Sequence, residues 1–191
     1  MKKRLRIATA LGALGIAFTT AAASAQSPGV ALVSNVAKPQ MIVVQVGELN
    51  GDRNAAIAWQ APTIWQHGSG VGRLQLVPEF SAGYADDARG SIFRNGHGLW
   101  HFGATAFLQW YVTPRSYVEI GTGPNYFTQT RLGNQEISTR FQFGDSIGYE
   151  QSFPGTPWGF GVRFTHYSNA GIKRPNFGVN FLQLVSRYSL R

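Results

Sequence analysis

Trp100-His101-Phe102-Gly103-Ala104-Thr105-Ala106-Phe107-Leu108-Gln109-Trp110-Tyr111 alternates along its whole length. Trp100, Phe102, Ala104, Ala106, Leu108 and Trp110 share one parity. His101, Gly103, Thr105, Gln109 and Tyr111 share the other, with Phe107 as the exception. A period of two is the signature of a strand whose faces meet different surroundings. Aromatic residues at both ends of the apolar row fit the belts that a membrane-spanning strand places at the two lipid–water interfaces.

Working outward, the same scheme recurs. Leu74, Leu76, Phe80, Ala82 and Tyr84 oppose Arg73, Gln75, Glu79 and Ser81; Phe141, Phe143, Ile147 and Tyr149 oppose Gln142, Ser146 and Glu150. Trp158, Phe160, Val162 and Phe164 oppose Gly159, Gly161, Arg163 and Thr165. Eight segments can be counted, at about 41–48, 54–61, 72–84, 98–112, 116–129, 137–151, 158–168 and 178–190. Turn residues separate them: Gly51-Asp52, Pro114-Arg115 and Pro154-Gly155 mark tight turns, whereas Ala85–His97 and Thr130–Glu136 read as longer loops. The expected architecture is therefore all-β, an eight-stranded antiparallel transmembrane β-barrel. An eight-stranded barrel is filled by its own side chains, so inward Arg73, Glu79, Glu119, Glu150 and Arg163 are expected to pair there. Pro78 lacks a ladder donor and points to a bulge.

Composition agrees. Aromatics make up 13% of the chain and charged residues 14%, with 23 glycines, no cysteine and a slightly negative mean hydropathy. A secreted β-sandwich shares many of these traits; the strand periodicity decides for the barrel. Residues 1–25 read as a cleaved export signal: Lys2, Lys3, Arg4 and Arg6, an apolar stretch from Ile7 to Thr20, then Ala23-Ser24-Ala25. Its removal takes away four basic residues and no acidic one, lowering the formal charge from +8 to +4. Residues 26–40 read as a lead-in segment and 41–191 as the barrel domain. The implied location is the bacterial outer membrane, with outer-membrane lipids as neighbours; a homodimer is left open.

The four histidines (His67, His97, His101, His166) show no metal-ligand spacing, so neither a metal nor another cofactor is expected. No glycine-rich phosphate loop joins a strand to a helix, and no basic patch interleaved with aromatics appears, so no nucleic-acid partner is expected.

His166 and Ser168 continue the outward row of the seventh segment, two residues apart on one face. An imidazole beside a hydroxyl is the material of an activated nucleophile. Outward placement makes sense only for a substrate lying in the same leaflet. Asn180 begins the outward row of the eighth segment, at the same rim. Asp145 lies on the apolar-parity face of the sixth segment, with nothing in the sequence to set it near His166.

The run His166-Tyr167-Ser168-Asn169-Ala170-Gly171-Ile172-Lys173-Arg174-Pro175-Asn176-Phe177-Gly178-Val179 closely resembles the signature of the outer-membrane lipid A 3-O-deacylases, the PagL-type family. Weaker similarity, such as Phe143-x-Asp145-Ser146-Ile147-Gly148, extends over most of the segments. The resemblance implies an esterase that removes the acyl chain at the 3 position of lipid A in lipopolysaccharide. It implies Ser168 as nucleophile, His166 as general base, and Asn176 with the Gly171 backbone N–H as oxyanion donors. It implies a turn-forming role for Asn169, and it lets Lys173 and Arg174 meet lipid A phosphates or simply face solvent. The family's third catalytic residue, a glutamate, falls where this chain has Asn180. An amide can orient a histidine but brings no charge, and in serine proteases the acid-to-amide change costs about 10⁴ in kcat. The alternative reading is accordingly a catalytically impaired barrel with a lipid-binding or structural role. A passive pore ranks last, for want of lumen.

Overall fold

The computed structural model describes residues 40–87 and 98–190. The expected export signal lies outside these residues, as do the lead-in segment apart from Gln40 and most of the expected loop at 85–97.

Eleven strands occur among the described residues, in chain order: β1 (Gln40–Leu49), β2 (Asp52–Gln60), β3 (Trp65–His67), β4 (Leu74–Asp87), β5 (Leu99–Tyr111), β6 (Ser116–Phe127), β7 (Arg131–Leu132), β8 (Gln135–Glu136), β9 (Phe141–Ser152), β10 (Trp158–Ser168) and β11 (Val179–Leu190). Eight of them run β2-β1-β11-β10-β9-β6-β5-β4, all antiparallel, and β2–β4 pairing closes the ring. Closure removes the free edges that could not be satisfied in hydrocarbon.

The first hairpin turns on Asn50 and Gly51, with φ of 57° and 90°. Both residues are left-handed, as the two-residue turn matching strand twist demands. Irregularity opposite Pro78 falls on the partner strand. β2 leaves the ladder after Gln60 and β3 rejoins it at Trp65, while Ala61 N–H still donates to the Pro78 carbonyl at 2.9 Å. On its other side Pro78 keeps register with Ala106.

The sixth barrel strand starts at Phe141 rather than near residue 137. Ser138 has φ of 64°, and the Gln142 side chain donates to the Ile137 and Thr139 carbonyls, so 137–140 folds as a turn. The expected loop at 130–136 carries the β7–β8 ribbon.

The lumen is layered. A central polar layer holds Glu79, Glu119, Glu150, Arg163 and Arg187, each no more than 4% exposed. Arg163 bridges Glu79 at 2.8 Å and Glu119 at 2.7 Å; Arg187 reaches Glu119 at 3.3 Å and Glu150 at 2.6 Å. Gln45 and Gln60 also donate to Glu79, Gln109 to Glu119 and the Tyr117 hydroxyl to Glu150, adding the hydrogen bonds that buried charges require. Phe107 is inward too, beneath the Arg163 guanidinium at 4.2 Å. Arg73 stands outside this network, 3.7 Å over the Tyr111 ring; Arg187 takes the second cationic place. Near the end bearing the loop between β10 and β11, Leu99, Phe127, Leu132, Ile137, Tyr167, Val179 and Phe181 form an apolar layer.

The outer surface reverses ordinary solubility. Trp100, Phe102, Trp110, Ile120, Ile147, Phe160 and Leu184 are all about half exposed or more. A continuous apolar exterior is a surface built for lipid.

Candidate active site

Tyr167 decides which way its neighbours face. Its ring is 7% exposed and packs inward against His101, Phe127 and Phe181. Alternation then turns His166 and Ser168 outward, in line with Phe160 and Val162.

Register builds the rest. His166 is opposite Asn180 on β11 and opposite Asp145 on β9, and Asp145 is opposite Thr122 on β6. Four polar side chains thus cross the outer face in one row: Thr122, Asp145, His166, Asn180. Asn180 Oδ1 lies 2.7 Å from His166 Nδ1. An amide oxygen only accepts, so Nδ1 carries the ring hydrogen and Nε2 keeps its lone pair. Thr122 Oγ1 donates to Asp145 Oδ1 at 2.7 Å.

Ser168, half-buried, ends β10 on the same face as His166. The two are brought onto one surface without a hydrogen bond of the Ser168 hydroxyl among those of the described residues. Such contacts commonly close only around substrate.

The loop at 169–178 is held from beneath by Asn169, which is fully buried. Its Oδ1 accepts from Gly171 N–H at 3.0 Å, and its Nδ2 donates to the Lys173 carbonyl at 2.9 Å and the Ile137 carbonyl at 3.3 Å. Its own N–H donates to Asn176 Oδ1 at 3.1 Å, and among the described residues Asn176 Nδ2 has no acceptor. The Gly171 N–H is thereby engaged within the loop. Ser138 donates to the Pro175 carbonyl, and Gln135 to that of Gly178, tying the β7–β8 region to the loop. Lys173 and Arg174 are exposed, and so are Ile172 and Phe177, at 66% and 72%.

Gly178 supports the imidazole. Its φ is 65°, and a Cβ there would lie 2.5 Å from His166 Cε1. Only the absence of a side chain lets the ring sit where Asn180 holds it.

This contact and the bracing by Gln135 and Ser138 carry no signal in the strand alternation, which also leaves Asp145 unplaced. Counting from the turn would have located that residue. Asp145 stands ten residues before Gly155 and His166 ten after Thr156, so a symmetric hairpin sets them opposite.

The fold and site define a class: an eight-stranded barrel with a lipid-facing exterior and a His/Ser pair on that exterior. Residues 53–189 match the family model described as Lipid A 3-O-deacylase (PagL). The lipid A deacylase PagL of Bordetella bronchiseptica is 38% identical over 141 residues, covering 71% of this chain and 75% of the relative. That of Pseudomonas aeruginosa is 39% identical over 70 residues, 37% of this chain and 40% of the relative. A crystal structure of the outer membrane enzyme PagL superposes with a TM-score of 0.68 at 22% identity, covering 78% of this chain and 99% of that one. The chain belongs to the lipid A 3-O-deacylase (PagL) family.

Proposed function

We propose that this protein is an outer-membrane hydrolase that removes the ester-linked acyl chain at the 3 position of lipid A. The observation that carries the reading is the outward His166, its Nδ1 held by Asn180 at 2.7 Å, on the same lipid-facing surface as Ser168. A substrate embedded beside the barrel meets that same surface.

In the proposed reaction Ser168 Oγ attacks the ester carbonyl carbon while His166 Nε2 takes the hydroxyl proton. The carbonyl π pair moves to oxygen, and Asn176 Nδ2 donates to that oxyanion. The Gly171 N–H joins only by leaving Asn169 Oδ1, so Asn176 carries the first share. When the intermediate collapses, the bond to the sugar oxygen breaks and His166 returns its proton to that oxygen. Water then attacks the acyl-serine with His166 again as base, releasing the fatty acid and restoring Ser168. Asn180 supplies orientation and no charge, which favours a working site over an impaired one because the ring is already in the required tautomer.

Mass spectrometry of lipid A from cells expressing the protein tests the reading. Loss of one 3-hydroxyacyl chain, abolished by Ser168→Ala, supports it; lipid A of unchanged mass refutes it.

A further inference from the structure

When Nε2 takes the serine proton, the His166 ring becomes positive in a setting of low polarity, and Asn180 offers it only a dipole. Across β6, β9, β10 and β11 the outward rows contain one carboxylate among the described residues, Asp145. A charge on the lipid-facing side of a barrel is costly, and this one is placed with care. Asp145 is the ladder partner of His166, and the Thr122 hydroxyl fixes one of its oxygens at 2.7 Å. Directly opposed residues have Cβ atoms about 5 Å apart, within reach of a rotamer change. The other groups facing the ring are Asn180 from β11 and Gly178 from the loop; Lys173 and Arg174 lie exposed further along that loop.

We infer that Asp145 is the counter-charge of this site, a positioning residue that stabilises the His166 imidazolium from β9 while Asn180 orients the ring from β11. The inference rests on the Ser168–His166 reading above. It divides between two strands the work one carboxylate does in a Ser-His-acid triad: Asn180 sets the tautomer, and Asp145 supplies the charge. Thr122, on the far side of Asp145 from His166, anchors one carboxylate oxygen on the outer face, and the rotamer change brings the other toward the ring.

A unit charge about 6 Å from the ring at an effective dielectric of about 20 corresponds to about a hundredfold in rate. The test is steady-state deacylation of purified lipid A by the folded barrel in detergent micelles, folding being checked by heat-modifiable mobility. Asp145→Asn keeps the shape and can still accept from Thr122, so it removes charge alone. It is expected to lower kcat about a hundredfold with KM little changed. Adding Asn180→Glu to Asp145→Asn, which returns a charge from the opposite strand, is expected to recover at least tenfold, and several times more than Asn180→Glu gains in the wild-type background; equal gains in the two backgrounds overturn the inference. The inference is overturned if Asp145→Asn stays within threefold of wild type, or if its loss is not relieved by Asn180→Glu. An inactive wild type instead overturns the proposed function itself.

Discussion

Gly178→Ala replaces one hydrogen with a methyl, and the structure gives the size of the consequence. The new Cβ would stand 2.5 Å from His166 Cε1, 3.2 Å from His166 Nε2 and 2.9 Å from the Tyr167 carbonyl oxygen. The carbonyl belongs to the β10 ladder and cannot yield, so the imidazole must. Restoring ordinary carbon–carbon contact requires a shift of about 1 Å. That shift pulls Nδ1 from Asn180 Oδ1 and moves Nε2 relative to Ser168 Oγ; a misplacement of about 1 Å can cost about a hundredfold. The left-handed backbone adds about 1–2 kcal/mol of strain, which a closed barrel tolerates. The expected result is a folded protein with kcat lowered about a hundredfold, measured as fatty acid released from lipid A in micelles. Gly155→Ala is the control, because Gly155 also has positive φ, 72°, and a Cβ there meets nothing within 4 Å. It should show similar backbone strain and wild-type turnover. Gly178→Ala within threefold of wild type would refute the claim that this glycine seats the histidine.

Asn176→Asp removes the amide donor while keeping the Oδ1 that accepts from Asn169 N–H, with Ser168 and His166 in place; kcat should fall by at least about 10²–10³, read from initial rates. Arg163→Met leaves Glu79 without a cation in the lumen and Glu119 with Arg187 alone, and should destabilise the barrel by about 3–5 kcal/mol, measured by urea unfolding in detergent. Because Arg163 points away from the lipid-facing site, the folded fraction of that variant should deacylate at close to the normal rate.

The barrel was legible because its physics acts locally. Strict alternation in β5 or β10 needs only one strand and two environments, and it oriented His166 and Ser168 before any partner strand was known. Arg163, Glu79 and Glu119 were legible as a set because inward charges in a packed lumen must meet. Features that depend on register were not. Asp145 became a neighbour of His166 only through the β9–β10 pairing, and Gly178 met the imidazole only once the loop at 169–178 folded back. Residues 137–140 mimic a strand in sequence, yet Gln142 captures the Ile137 and Thr139 carbonyls and bends them into a turn. The role of Gly171 depended on its donor: Asn169, buried beneath the loop, engages the N–H that the family resemblance had offered to an oxyanion.

The proposed reaction requires a serine made nucleophilic by its histidine on the surface that meets lipid. A lipid-soluble alkyl phosphonate ester, added to membranes containing the folded protein, traps such a serine covalently, and peptide mass spectrometry locates the adduct. A single phosphonyl group on Ser168, lost in His166→Ala, is the predicted result. No adduct, an adduct at another residue, or labelling of Ser168 undiminished in His166→Ala would contradict it.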